Sequence, residues 1–242
     1  MTSIGIYGSA GRMGRAIAEA APGLGARVAG GADVADDPAD LARKADVLVD
    51  FSAPAALEAN LAAARAARTP IVVGTTGLAQ RHHDLVDAAA RDIAVLQTGN
   101  TSLGVALLCS LVRQAAERLG EGWDIEVLEM HHRNKVDAPS GTALMLGAAA
   151  ADGLGTTLSE AAVYDRSGLT GARAEGTIGF ASMRGGSVAG DHLVVFAGDG
   201  ERIEMGHRAE NRTIFAHGAI RAALWLAGRD PGRYTMDQVL GL

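Results

Sequence analysis

One cysteine stands among 242 residues, basic groups are outnumbered by acidic ones, and no apolar run approaches the length of a membrane span. Each shortage removes a class of protein. The lone thiol, Cys109, closes no disulfide within one chain, and its place in the apolar run Leu103 to Val112 makes it a small core group rather than a nucleophile or metal ligand. With 22 Lys and Arg against 28 Asp and Glu the net charge is −6. That argues against a nucleic-acid partner, which calls for a dominant basic face. No stretch reaches the roughly 18 apolar residues of a spanning helix, and the chain opens on a strand rather than on a basic, then apolar leader. The expectation is a soluble, cytoplasmic protein with no membrane partner. Linker runs, internal repeats and low-complexity segments are also missing.

What the chain has in quantity is apolar residues, 48% of the total, and glycine, at 32 positions. The first is enough for one large domain or two small ones, and the second implies many tight turns. Ser3 to Tyr7 is a short apolar run leading into Gly8, Ser9, Ala10, Gly11, Arg12, Met13 and Gly14, followed by the helix-forming Arg15 to Ala20. Strand, glycine turn and helix in that order let backbone N–H groups approach a pyrophosphate at the helix start. The spacing is G-x-x-G-x-x-G, so an ordinary tight turn is the competing explanation. Ala26 to Ala32 reads as a second strand ending at Asp33, about 20 residues beyond the turn, where an acid accepts hydrogen bonds from a ribose; a plain loop aspartate is the alternative.

Val47 to Phe51 gives a third strand, with Ser52 as cap and Pro54 in the first turn of a helix running to about Ala67. Ile71 to Val73 gives a fourth, ending in Gly74, Thr75, Thr76 and Gly77. A helix from about Ala79 to Arg91 and a fifth strand, Ile93 to Leu96, follow. This alternation predicts an α/β fold, a Rossmann-like doubly wound parallel sheet. Ligands in such sheets bind beyond the carboxyl ends of the strands, where the Gly8 turn, Asp33, Gly74 to Gly77, and Gly99, Asn100, Thr101 and Ser102 all fall.

Beyond Leu103 the pattern changes to a helix reaching Leu119, a strand from Ile125 to Met130, and strands at Thr177 to Met183, His192 to Ala197 and Arg202 to Met205. That predicts a second domain of α+β type. Ile214 to Leu226 returns to a helical pattern, and Thr235 to Gln238 is a capping-box signature, so the closing helices are expected to pack on the first domain.

The most chemically loaded stretch is Glu129 to Thr142, with His131, His132, Arg133 and Lys135 in one loop before a helix that starts near Pro139 and Ser140. Backbone N–H groups of Ser140, Gly141 and Thr142 at that start, with Lys135 beside them, form a carboxylate or phosphate site carrying its own proton donors. A solvated basic loop is the alternative. Zinc is not expected, because adjacent strand residues such as His131 and His132 point to opposite faces and no Cys or further His lies at ligand spacing.

The Gly8 to Arg15 turn, Gly74 to Gly77, and above all His131 to Thr142 resemble the 4-hydroxy-tetrahydrodipicolinate reductase family. Gly176 to Phe180, Gly185-Gly186, His192 and Ala222 to Leu226 extend the resemblance nearly end to end. The resemblance implies reduction of a cyclic unsaturated dicarboxylate by NADH or NADPH in lysine biosynthesis. It implies His131 as proton donor and Lys135 as the second catalytic residue. His132, Lys135, Ser140, Gly141 and Thr142 would contact substrate, and Gly8 to Met13, Asp33, Gly74 to Thr76 and Gly99 to Ser102 the cofactor. It also implies a dinucleotide domain of residues 1–102 plus 212–242 around a substrate and oligomerisation domain of residues 103–211, assembled as a homotetramer. Asn134 stands where the family often has a third histidine, so no proton-transfer role falls to it. An aspartate dehydrogenase-like enzyme would keep the glycine turn but has no reason for Lys135 beside Ser140 to Thr142. A non-catalytic nucleotide sensor has no use for His131.

Overall fold

The strands of residues 1–97, apart from the one at residues 26–32 that carries Arg27, are largely apolar on both faces, which suits a sheet covered by helices on both sides and not one facing water. In the computed structural model, which describes residues 1–242 apart from the side chain of Glu121, they are β1 (Thr2–Tyr7), β2 (Ala26–Ala32), β3 (Val47–Asp50), β4 (Ile71–Val73) and β5 (Ala94–Gln97). Between them lie α1 (Arg12–Ala20), α2 (Pro38–Ala42), α3 (Leu57–Ala67) and α4 (Gln80–Ala89). The chain continues through α5 (Leu103–Leu119), β6 (Asp124–His131), α6 (Gly141–Gly153), α7 (Leu158–Ala161), β7 (Ala162–Val163), β8 (Ile178–Arg184), β9 (Asp191–Gly198) and β10 (Glu201–Arg208). It ends with α8 (Thr213–Leu226), β11 (Gly232–Tyr234) and α9 (Met236–Leu240).

Two compact units result: Met1–Leu103 with Thr213–Leu242, and Gly104–Arg212. The first holds a six-stranded sheet in the order β11, β5, β4, β3, β1, β2, every neighbouring pair parallel. The α/β expectation therefore holds. Tyr7, Leu48, Leu61, Ile71, Val86 and Val95 form the core under α2, α3 and α4, while α8 packs with α1 and against β3, β4 and β5. The chain steps from β1 out to β2 on one side and then crosses back past β1 to β3 on the other, and a crevice opens at such a reversal beyond the carboxyl ends of the strands.

Two local expectations change. Pro54 opens a 3-10 turn, Pro54–Ala56, ahead of α3. Ser52 caps nothing there, because its hydroxyl donates to Asp50 at 2.6 Å. Two short elements of this unit were also unforeseen, as were α7 and β7 in the second. One is α2, capped by the Asp37 side chain accepting from Ala39 N–H at 2.9 Å; the other is β11, a three-residue strand too short to show a period of its own.

In the second unit a mixed sheet runs β10, β9, β6, β8, β7, with β6 parallel to β8 and antiparallel to β9. Successive residues of β6 face opposite sides, so Ile125, Val127, Glu129 and His131 share the buried face. Ile125 and Val127 there join the core with Val112 of α5, Leu146 of α6 and Phe196 of β9.

Candidate active site

In the first unit the glycine turn is built by close approach. Gly8 has φ +78°, and a Cβ on it would lie 2.7 Å from the Phe51 carbonyl oxygen; one on Gly14 would lie 2.3 Å from the Gly8 carbonyl oxygen. Only glycine lets α1 sit so near β1. Gly11 is the N-cap of α1 and offers no side chain to satisfy the helix start, so backbone donors there are available to an anion. A cavity of about 530 Å³ opens beside this turn at the β1 and β3 reversal, bounded by Tyr7, Gly8, Gly11, Asp33, Phe51 and Ser52. A glycine cradle at a helix N-terminus, with a carboxylate at its rim, fits a dinucleotide.

The other sequence-derived cofactor residues sort into inward and outward groups. The Asp33 carboxylate accepts from the Ser9 hydroxyl at 2.6 Å and from Ala10 N–H at 3.0 Å, so it braces the turn it faces. Arg12 is exposed and Met13 half-buried. Gly74 N–H donates to the Asp50 carbonyl at 2.9 Å, and the Thr75 hydroxyl to the buried Asp50 carboxylate at 3.0 Å, while Thr76 is exposed. Thr101 and Ser102 are buried and Gly99 is exposed; the Thr101 hydroxyl donates to the Phe215 carbonyl at 2.7 Å, and Asn100 accepts from Ser102 N–H at 2.8 Å. The Thr75 and Thr101 hydroxyls thus hold their turns in shape.

In the second unit β6 delivers Glu129 and His131 to the start of α6. His131 is 8% exposed and its Nδ1 lies 2.5 Å from Glu129 Oε2. Glu129, 1% exposed, accepts from both arms of the Arg184 guanidinium, at 2.7 and 2.8 Å, and from Ser140 N–H at 3.2 Å. The expectation that Ser140 N–H faces a ligand gives way here, because Glu129 already occupies it. The Ser140 hydroxyl accepts from Ala143 N–H at 3.1 Å as the N-cap of α6 and lies 3.1 Å from His192 Nε2. Ser140 is a buried cap, and the exposed start of the helix falls to Gly141 and half-buried Thr142. Lys135 Nζ donates to both Asp137 oxygens at 2.8 and 2.9 Å. Arg184 also donates to the Asp137 carbonyl at 2.7 Å. His132, half-buried, has its Nε2 3.4 Å from an Arg212 nitrogen.

Burial pushes the Glu129 carboxyl up, but hydrogen bonds from Arg184, His131 and Ser182 outweigh it and hold the group at about 2. It is a carboxylate at neutral pH. Burial first, and the charge of protonated His131 second, press His192 down to about 4, so its ring is neutral beside His131, centroids 5.1 Å apart. The hydrogen bond from Lys135 lowers Asp137. The arrangement is an imidazole backed by an ion pair, next to a helix N-terminus and an ammonium. Sequence reasoning gave no role to Glu129, Arg184 or His192. A signal for Glu129 existed: it falls two residues from His131 in a strand whose alternate positions are apolar and buried, and an acid in that row needs a partner.

The family model described as dihydrodipicolinate reductase, N-terminus, matches residues 2–101, and that described as dihydrodipicolinate reductase, C-terminus, matches residues 104–240. The 4-hydroxy-tetrahydrodipicolinate reductase of Zymomonas mobilis is 55% identical, covering 99% of this chain and 97% of that one. The reductase of that name from Alkalilimnicola ehrlichii is 48% identical over 100% and 99%. Among solved structures, a dipicolinate-bound dihydrodipicolinate reductase from a Paenisporosarcina species superposes with a TM-score of 0.75 at 21% identity, covering 97% of each chain. Aspartate dehydrogenase from Thermotoga maritima shares the fold at a TM-score of 0.53 and 9% identity, covering 95% and 98%. The two halves of the chain match in order, over residues 2–101 and 104–240, and the chain belongs to the dihydrodipicolinate reductase family.

Proposed function

We propose that this chain reduces the dehydrated form of 4-hydroxy-2,3,4,5-tetrahydrodipicolinate to tetrahydrodipicolinate, on the diaminopimelate route to lysine. The observation that carries the reading, within this family, is His131 backed by the Glu129 carboxylate beside Lys135 and the start of α6. NADH or NADPH, when bound, supplies the hydride. The Gly8 to Met13 turn and Asp33 hold it, with Gly74 to Thr76 and Gly99 to Ser102 shaping the neighbouring strand ends.

Gly141 and Thr142 bind one substrate carboxylate through backbone N–H and hydroxyl groups, where the dipole of the 13-residue α6 favours negative charge. Lys135 exchanges its Asp137 partner for substrate and holds the charge that develops in the transition state. His132 contacts the ring or its second carboxylate. Hydride addition leaves an electron-rich carbon, and His131 gives it a proton from Nε2, since Nδ1 is engaged with Glu129. The reading carries with it a cytoplasmic homotetramer assembled through the second sheet. Supporting that surface, Met183 and Ile203 are 51% and 40% exposed on β8 and β10.

A steady-state assay with the enzymatically generated hydroxylated substrate and each nicotinamide in turn tests the reading. Substrate-dependent oxidation of NADH or NADPH is expected. Turnover only of an amino acid such as aspartate would move the chain to the amino-acid dehydrogenases that share this fold.

A further inference from the structure

We propose that Glu129 and Arg184 are positioning residues for this reduction. Glu129 fixes His131 and keeps its proton in place, while Arg184 cancels the Glu129 charge at the very helix start where a substrate carboxylate must bind. The inference rests on the reading above.

The geometry is specific to a carboxylate. Oε2 of Glu129 faces His131 Nδ1 and one Arg184 nitrogen, and Oε1 faces Ser140 N–H and the other. Besides the hydrogen bond from Ser182 of β8, each oxygen thus takes two donors, and an amide in this place would set its own N–H groups against donors whichever way it turned. An ion pair that only fastened β6 to β8 would have no need of the two further bonds. Those two go to the proton donor and to the residue that caps α6.

The imidazole held in this way has its Nε2 toward Gly190: a Cβ there would lie 3.0 Å from Nε2. The charged or titratable groups around His131 are Glu129 on its own strand, Arg184 from β8, His192 from β9 with His207 of β10 behind it, and Lys135 from the following loop. Of these, only Glu129 favours a protonated His131. Left uncompensated, the same carboxylate, bonded to Ser140 N–H, would repel a second carboxylate arriving at Gly141 and Thr142. The Arg184 fork removes that repulsion.

The two residues therefore act with opposite signs on one pH limb. In Glu129→Gln, kcat is expected to fall about tenfold to a hundredfold, and the alkaline limb of the kcat profile to move to lower pH, because the group that must stay protonated has lost its counter-charge. In Arg184→Met that limb is expected to move to higher pH. The Kd of the NADH-bound enzyme for pyridine-2,6-dicarboxylate, measured by calorimetry, weakens about tenfold in the same variant. In the double variant the loss of Arg184 should add little to the effect of Glu129→Gln. Thermal unfolding and NADH affinity, measured alongside, identify a merely destabilised protein. Limbs and Kd unchanged in both single variants would reduce the pair to a structural tie and overturn the proposal. If Glu129→Gln does not fold, Arg184→Met decides alone, and an unmoved limb overturns it. A wild type inactive on the hydroxylated substrate would instead count against the proposed function, and the calorimetric arm would still read Arg184.

Discussion

Replacing Asp33 with alanine tests the cofactor preference most directly. The carboxylate is half-buried at the end of β2, with one oxygen 2.6 Å from the Ser9 hydroxyl and 3.0 Å from Ala10 N–H. The next residue, Val34, is fully exposed and brings no compensating charge. A ribose 2′-hydroxyl is a donor that such a carboxylate accepts; a 2′-phosphate is repelled. At about 5 Å and a surface dielectric of about 60, the repulsion is about 2 kcal/mol for a doubly charged phosphate and about 1 kcal/mol after physiological screening. NADH is therefore expected to be preferred over NADPH by tenfold or less. The substitution removes the repulsion and frees the Ser9 hydroxyl and Ala10 N–H as donors. NADPH should gain, NADH should lose its ribose contact, and the ratio of kcat/KM values should shift toward NADPH by about tenfold. Arg12 and Arg15, both exposed beside the same turn, are the groups that would work against this preference. Measuring kcat/KM for both nicotinamides on wild type and Asp33→Ala decides the matter. A wild type that clearly prefers NADPH, or a ratio that the substitution leaves unmoved, refutes the reasoning.

His131→Gln is expected to lower turnover by about two to four orders of magnitude with NADH affinity nearly unchanged, as loss of a general acid does; near-normal turnover would remove His131 from the chemistry. Lys135→Ala should damage both kcat and KM while barely changing thermal stability, because its ion-pair partner Asp137 is 56% exposed and such pairs contribute little; weakened NADH binding with normal substrate affinity would place Lys135 on the wrong ligand. His192 titrates near 4 in the fold and near 6.5 when unfolded, so its contribution is present in full above about pH 6.5 and disappears as the pH falls toward 4, a loss on the order of 3 kcal/mol. Unfolding midpoints taken from pH 7.5 to 4 should therefore fall less steeply for His192→Gln than for wild type, and parallel curves would show that His192 is not held neutral.

Legibility in the sequence followed the length of the signal. The strands β1, β3, β4 and β5 are largely apolar on both faces, and most of the strands are separated by helical stretches, so the parallel sheet could be read from composition and order alone. The elements that escaped, α2, α7, β7 and β11, are five, four, two and three residues long, shorter than any window in which a period shows. The charged loop from His131 to Lys135 was legible because its residue types are costly to place together without a use. Glu129, Arg184 and His192 were not, because they meet from β6, β8 and β9, up to 63 positions apart in the sequence from Glu129 to His192, and only the strand register brings them side by side. Ser140 shows the opposite error: a residue rightly placed at a helix start was given to a ligand, when a carboxylate of the same chain, 11 positions earlier, had already taken its N–H.

The first unit is interrupted in sequence and the second is not, and this sets an order of completion during synthesis. Residues 104–212 are contiguous and leave the ribosome before the last strand and helices of the first unit exist. Until Thr213–Leu226 emerges, one face of β3, β4 and β5 lacks the helix that covers it, and until Gly232–Tyr234 emerges β5 is an open edge. The nascent chain thus carries an unfinished nucleotide sheet past an already closable second unit, with bare apolar surface and an unpaired strand exposed for the whole interval. Substitutions in α8 such as Ile220→Asp should for that reason reduce the yield of folded protein far more than they alter the catalysis of the molecules that do fold.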